Sequence, residues 1–321
     1  MFTLNRQNTN QIAFFLGDSS YSMASMNADN QLLRHVSHTF TKKTIATMGD
    51  VLASDVAELH LTGQSCRLIL APNLYQLVLM DALNVPEAEM AKALKWNLKG
   101  LIEYPLDDIA MDAFLVPPHG VSNQQKKAFV AVTPLSKLRE KLALFDAAYL
   151  SIAEVSIAAL ALKNLCTLIP DFNEGVSLVM SLDQDHCQLH VFYQNALYLV
   201  RALPVSATLL RDNPAHQEAT LLEIQRSTDY CLSALKLPEP RRICFTPEFH
   251  QATHLIEYLQ KEQTKPVYLM DLNHLLPLKT PLGAAEQERL FYSIGGALHE
   301  VEETSPSLDN LEERESHAST R

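Results

Sequence analysis

Glycine is scarce, with nine residues in 321 where an average chain carries roughly 7%. Phosphate-cradling loops use glycine to let backbone N–H groups close on an anion, and neither GxxxxGK[ST] nor GxGxxG occurs in this sequence. P-loop and dinucleotide-binding readings therefore lose their support. Cysteine is sparse as well: the five, at positions 66, 166, 187, 231 and 244, are an odd number with no CxxC spacing. That argues against a disulfide framework or a zinc knuckle and predicts reduced, buried side chains. Positive charge is in deficit, with 26 Lys and Arg against 37 Asp and Glu and a net charge of −11. The basic residues form only short groups such as Lys42-Lys43, Lys126-Lys127 and Arg241-Arg242, so no nucleic-acid surface is expected. Long apolar runs are missing. The longest, Ile157 to Leu162, has six residues, whereas a bilayer span needs about 20. The apolar stretch Ile12 to Leu16 follows a single Arg6 and lacks a small-residue cleavage site, so a secretory signal is not expected and the chain is expected in the cytoplasm. No basic amphipathic helix is evident, and any membrane role is expected to run through a protein partner.

What is present is the composition of an ordinary globular protein, 47% hydrophobic and 20% charged, long enough for about two domains. Short strands are expected at 11–16, 21–26 and 31–40, separated by polar turns. A helix that Asp50 can cap follows as far as Leu61, with Val51, Leu52, Val56 and Leu59 at helical spacing, and then a buried strand at 66–71. Strands at 127–133 and 151–156 alternate with helices at 134–147 and 157–168. The second half repeats the order: strands at 175–182, 186–193 and 197–203, a long helix at 217–236, a strand at 242–245, a helix at 247–261, a strand at 266–270 and a last helix at 284–300. Two β-β-β-α-β-α-β units thus stand in tandem, an α/β arrangement with largely parallel core sheets. The expected division is 1–170 with an inserted subdomain at 75–118 (strand, helix 87–101, strand), then 171–300. An acidic tail at 301–321 has only Val301, Leu308 and Leu311 as aliphatics larger than alanine, too few to order it.

Tandem units of this order with an insertion in the first resemble the actin-like ATPase (ribonuclease H-like) superfamily. A narrower resemblance, to PilM-like type IV pilus assembly proteins, is carried by four segments in order. Pro86-Glu87-Ala88-Glu89-Met90 opens a helix that holds Lys95-Trp96, and Tyr104-Pro105-Leu106-Asp107-Asp108 leads to Met111-Asp112. Phe129-Val130-Ala131-Val132 follows, then Glu223-Ile224-Gln225-Arg226-Ser227 with Tyr230 on the long helix. Divergence at glycine positions and the lack of a membrane segment make the sequence most similar to the MshI branch, from biogenesis of the mannose-sensitive haemagglutinin (MSHA) pilus. The resemblance implies a cytoplasmic adaptor, peripheral at the bacterial inner membrane. A groove of its first domain would bind the short cytoplasmic N-terminal peptide of a PilN-like bitopic protein, and a pilus assembly ATPase would be a further partner. It also implies an ATP site between the domains.

That site would clamp phosphates with two hairpin turns of Asp-x-Gly type and admit adenosine past Gly-Gly after a strand. The first turn reads Leu16-Gly17-Asp18-Ser19-Ser20, with the Asp-x-Gly order lost. The second reads Asp183-Gln184-Asp185-His186, with a carboxylate in the glycine position that would repel phosphate. Gly-Gly is replaced by Thr246-Pro247, which removes a donor and the close approach. The expectation is a pseudo-ATPase without bound cofactor, with Gly17, Asp18, Ser19, Ser20 and Asp183 as vestigial positions. A slow, nucleotide-gated ATPase, with Mg²⁺ held by Asp18 or Asp183 through water, is the alternative. Gly295-Gly296, late in the last helix, mark close packing or its end.

Other chemistry is thin. His250 and His254 sit at i and i+4 as in HExxH sites, but Gln251 stands where a general base would be. His186 and His190 fall on the opposite strand face from Cys187. No catalytic nucleophile and no metal ligand set is assigned. For partner binding, the expected surface is the helix after Pro86 and the segment behind it: Trp96 at the lip of a groove, with Leu98, Leu101 and Tyr104. Met90, Leu94, Leu98 and Leu101 form its packing stripe. On the long helix, Leu221, Ile224, Thr228, Leu232 and Leu235 are expected to pack, leaving Glu223, Arg226 and Asp229 for an interdomain ion pair or a dimer edge.

Overall fold

A computed structural model describes residues 10–119, 126–182, 187–203 and 215–299. The opening meander forms as expected, because alternating apolar residues are broken by Gly17-Asp18-Ser19 and by 27–31. These strands are β1 (Gln11–Leu16), β2 (Ser20–Met26) and β3 (Leu32–Thr39). Helix α1 (Met48–Glu58) starts after Thr47, placing Asp50 in its first turn, not at the cap. It crosses to β4 (Ser65–Leu70), which pairs in parallel with β1 on one side and β8 (Ser151–Ile157) on the other. The first sheet runs β3-β2-β1-β4-β8.

The second sheet repeats this order. Strands β9 (Val176–Leu182), β10 (Cys187–Tyr193) and β11 (Ala196–Leu203) form an antiparallel meander. After helix α5 (Ala215–Ser233), β12 (Pro240–Phe245) and β13 (Val267–Leu269) add parallel strands around helix α6 (Thr253–Glu262). The order is β11-β10-β9-β12-β13. All seven residues of β9 are buried, as a central strand covered on both faces requires. The five cysteines are all buried, and burial pushes the Cys66 and Cys187 thiols up to about 12.

Between β4 and α3 (Leu135–Ala147) lies the insertion: β5 (Gln76–Asp81), α2 (Glu87–Leu94), β6 (Ile109–Val116) and β7 (Lys127–Pro134). Its sheet runs β5-β7-β6, so the bounds 75–118 stop short. The strand at 127–134, counted above with the main unit, is the insertion's central one. It misleads because both its faces are buried. Ala128, Val130 and Val132 pack under α2 while Phe129 joins the main core, and periodicity cannot say to which sheet such a strand belongs. Helix α2 also ends early, at Leu94, and a 3-10 turn carries Lys95–Leu98.

The last helix departs from the expected division as well. Helix α8 (Ala284–Ala297), which follows the short α7 (Leu272–Leu275), lies within 171–300 but packs on the first sheet and on α4 (Ala158–Cys166). Its Ser293 hydroxyl meets that of Ser22 on β2 at 3.1 Å, Arg67 on β4 donates to the Gly296 carbonyl at 3.3 Å, and Asn164 donates to the Gly295 carbonyl at 3.1 Å. The glycine pair makes this approach possible. A Cβ on Gly295 would overlap the Ala161 carbonyl oxygen, and one on Gly296 would lie 2.5 Å from the Ile69 side chain. Helix α4 includes most of the six-residue apolar run and is buried on nearly every side, as an all-round apolar helix must be. The tail at 301–321 lies outside the described residues.

Gly295→Ala should therefore cost about 1–3 kcal/mol, the usual penalty of overpacking, and lower Tm by several degrees. Gly49→Ala, on α1 with only ordinary room against Leu144 at 3.4 Å, should be neutral or stabilising by up to ~1 kcal/mol. Thermal unfolding of the two variants checks this; equal Tm values would show that α8 can shift at no cost.

Candidate functional site

A cleft of about 460 Å³ opens between the two sheets. One wall is the β1–β2 hairpin. Its turn is closed by a hydrogen bond from the Gly17 N–H to the Ser20 carbonyl at 2.9 Å, and the Ser19 carbonyl accepts from the Phe40 N–H at 2.7 Å. Asn73 donates to the Asp18 carboxylate at 2.8 Å. The sequence positions Gly17, Asp18, Ser19 and Ser20 thus gather at the cleft, while Asp183 and its turn lie outside the described residues. The facing wall is Ser181 and Leu182 of β9 with Gln188 of β10, and α8 supplies Glu288, Arg289 and Tyr292. Tyr292 stacks on Phe15 with ring centres 4.9 Å apart.

Where the resemblance expects Gly-Gly, the chain is filled in. Thr246 is buried and donates from both its N–H (3.0 Å) and its hydroxyl (3.3 Å) to the Met180 carbonyl. Pro247 opens a 3-10 turn over Pro247–Gln251, and Phe249 packs edge-on against Phe245 at 4.7 Å. The charges are equally unsuited to a triphosphate. Among the described lining residues, Asp18, Glu248 and Glu288 face Arg289 and His38. Arg289 already donates to the Ser37 hydroxyl at 3.0 Å. His38 is 2.9 Å from Asp55, which also accepts from the Tyr21 phenol at 2.6 Å; burial and that bond hold the Tyr21 phenol well above its ordinary value. These residues do not fit a polyanion, whose charges the carboxylates would repel.

No set of three His, Cys, Asp or Glu among the described residues is placed to hold a metal. The His250–His254 pair does not share one helix, because the expected helix 247–261 breaks at Ala252 (φ −107, ψ 36). His250 instead lies 3.1 Å from the Pro247 carbonyl and 3.5 Å from Glu288. His190 is buried in the second sheet, with its ring parallel to Phe192.

A smaller groove of about 180 Å³ lies between the insertion and α3. Leu70, Leu74, Tyr104 and Leu138 give it apolar walls, Lys137, Glu140 and Lys141 stand at its side, and it meets the cleft at Asp18 and Asn73. Of the four partner-binding positions, only Tyr104 lines it. Leu98 is 0% exposed in the insertion core and is unable to touch a partner; Trp96 and Leu101 are exposed but stand outside the groove. Leu101 also departs from the expected packing stripe. The α3 residues were missed, although Lys137, Leu138 and Lys141 share one side of a helix expected at 134–147. Asp108 explains part of its own motif: it accepts from the Ser136 N–H at 2.9 Å and hydroxyl at 2.6 Å, which lowers its pKa and anchors the start of α3.

On α5 the exposed set differs from the expectation. Glu223 is buried between Arg201 of β11 (2.7 Å) and Arg226 (2.5 Å), so the ion pair is internal to the second unit. Leu232, expected to pack, is 42% exposed.

Among solved structures, the chain is similar to a PilM-PilN type IV pilus biogenesis complex at TM-score 0.67 and 15% identity, over 91% of this chain and 98% of that one. It is also similar to a protein with an actin-like ATPase fold from Bacteroides thetaiotaomicron, at TM-score 0.51 and 11% identity, again over 91% and 98%. No protein-family model and no curated protein matches the sequence. At such identities the likeness establishes the fold, which is the actin-like ATPase fold expected from the tandem units.

One pH effect follows from the site's surroundings. Burial drives the His190 imidazole from 6.5 down to about 4, against a hydrogen bond with the Val179 backbone. The neutral ring belongs to the folded state, so its full contribution is present above pH 6.5. It is lost as pH falls towards 4, because the unfolded chain takes up the proton first. The loss should reach about 3 kcal/mol. Unfolding free energies of the wild type and His190→Leu between pH 7 and 4 test this: the variant's profile should be flatter, and parallel profiles would refute it.

Proposed function

We propose that the chain is a non-catalytic, actin-like adaptor of a type IV pilus assembly platform, in the MSHA branch. It would act at the cytoplasmic side of the inner membrane and bind the N-terminal cytoplasmic peptide of a PilN-like protein, with a pilus assembly ATPase as a further partner. Likeness to the PilM-PilN complex along 91% of the chain is the observation that carries the reading. Two features of the chain support it. The insertion and α3 leave a groove with apolar walls, in which Lys137 and Lys141 are matched by Glu140 and Asp18, suited to a short peptide with apolar side chains. The cleft opposes nucleotide binding with carboxylates and with the filled turn at Thr246-Pro247. No helix among the described residues is long and apolar enough to cross a membrane, so attachment through a bitopic partner fits.

Two titrations test the reading. A synthetic PilN-like N-terminal peptide should bind the full chain, and Tyr104→Ala or Lys137→Glu should weaken it by about tenfold, or ~1.4 kcal/mol; equal affinity for wild type and variants would remove the groove from the function. Millimolar MgATP should leave Tm unchanged. Saturation at ~100 times Kd would stabilise by about 2.7 kcal/mol, and a rise of that size would favour the slow, nucleotide-gated ATPase, with Asp18 and Asp183 as the residues to mutate.

A further inference from the structure

Neither the cleft nor the groove uses the tip of the insertion. From Lys92 to Leu101 the chain reads KALKWNLKGL, with three lysines and no carboxylate, in a protein of net charge −11. Its apolar residues divide between opposite sides. Leu94 and Leu98 are buried in the insertion core with Met90 of α2. Trp96, on the 3-10 turn between Leu94 and Leu98, is 74% exposed. Lys92 and Lys99, four residues before it and three after, are exposed too. Beyond Gly100, which takes φ +80, Leu101 is 57% exposed.

We propose that this tip rests on an anionic lipid surface, with Trp96 and Leu101 at the boundary of headgroups and acyl chains and Lys92, Lys95 and Lys99 against the phosphates. Charge complementarity selects this occupant. Lysine is depleted in protein–protein interfaces, whose centres exclude charge, and a tryptophan ringed by lysines would have to desolvate them on a protein partner. On a bilayer the same lysines remain in the wet headgroup layer while the indole takes the interfacial position that tryptophan favours. The acidic remainder of the molecule is repelled by the same surface, which leaves this basic tip to face it. Three lysines, one indole and one leucine make a weak, reversible and salt-sensitive contact. The contact is direct, beyond the attachment through partners expected from sequence, and it does not depend on the pilus reading.

Trp96 is the only tryptophan in the chain, so its emission reports on the tip alone. The full chain should be titrated with vesicles of phosphatidylethanolamine and phosphatidylglycerol. The expected result is a blue shift, quenching by brominated acyl chains, and loss of both with phosphatidylcholine vesicles or high salt. In sedimentation, Trp96→Ala should pellet several-fold less. Lys95→Gln and Lys99→Gln should each weaken association about fivefold, with Tm unchanged because the side chains lie outside the core. Unchanged emission at saturating anionic lipid would overturn the proposal, as would equal pelleting of Trp96→Ala. A blue shift that grows with protein concentration or with added peptide, and not with lipid, would assign the tip to a second copy or a protein partner instead.

Discussion

The close seat of the last helix on the first sheet is the constraint from which the rest of the architecture follows. Two repeated units joined by one crossing of the chain at 170–175 would form a loose pair. Here α8 returns across the boundary, and Gly295 and Gly296 let its backbone come within contact distance of α4 and β4. The resulting layer of two helices packs on the first sheet, and α8 also touches the 3-10 turn Pro247–Gln251 of the second unit. Close-packed interiors tolerate few voids or overlaps, so the seat of α8 on the first sheet is set by side chains as small as alanine and as specific as the Ser22–Ser293 pair. The same helix forms part of the cleft with Glu288, Arg289 and Tyr292. The shape of the cleft and the tie between the units are thus one feature.

That cleft combines an actin-like frame with contents of a different kind. A nucleotide-holding frame places backbone donors and cations where phosphate charge accumulates. In this chain the one guanidinium among the described lining residues is engaged with Ser37, and His38 lies 2.9 Å from Asp55, which accepts from the Tyr21 phenol. Proline at 247 and the Phe245–Phe249 contact convert a glycine approach into packed core. Among the described residues these side chains pack the walls of the cleft.

Much of this was legible in the sequence, and the failures share a cause. The tandem order, the meander and the buried helix expected at 157–168, which runs over Ala158–Cys166, could be read because each rests on local pattern. The insertion's extent could not, since β7 is apolar on both faces and hydrophobicity does not name the sheet it joins. The return of α8 was hidden for the same reason: an apolar helix shows that it is buried, not against what. Glu223 misled in the opposite direction. A charged residue on a helix reads as surface, and only the fold brings Arg201 from β11 to it. The break at Ala252, which separates His250 from His254, follows from Pro247 favouring the start of a turn, a signal present in the sequence but outweighed by the helical spacing beyond it.

The groove and the cleft are not independent. Both are lined by Asp18 and Asn73, and those side chains share a 2.8 Å hydrogen bond. Asn73 lies on a 3-10 turn (Pro72–Leu74) directly after β4, and the carbonyl of Leu74 accepts from the buried Thr133 hydroxyl at 2.8 Å. A displacement of that turn moves a wall of the groove and a wall of the cleft together. This pair and the turn that carries it are a direct physical link between the two, and any coupling in binding would be equal in both directions. The bond from Asn73 holds Asp18 where the cleft and the mouth of the groove meet.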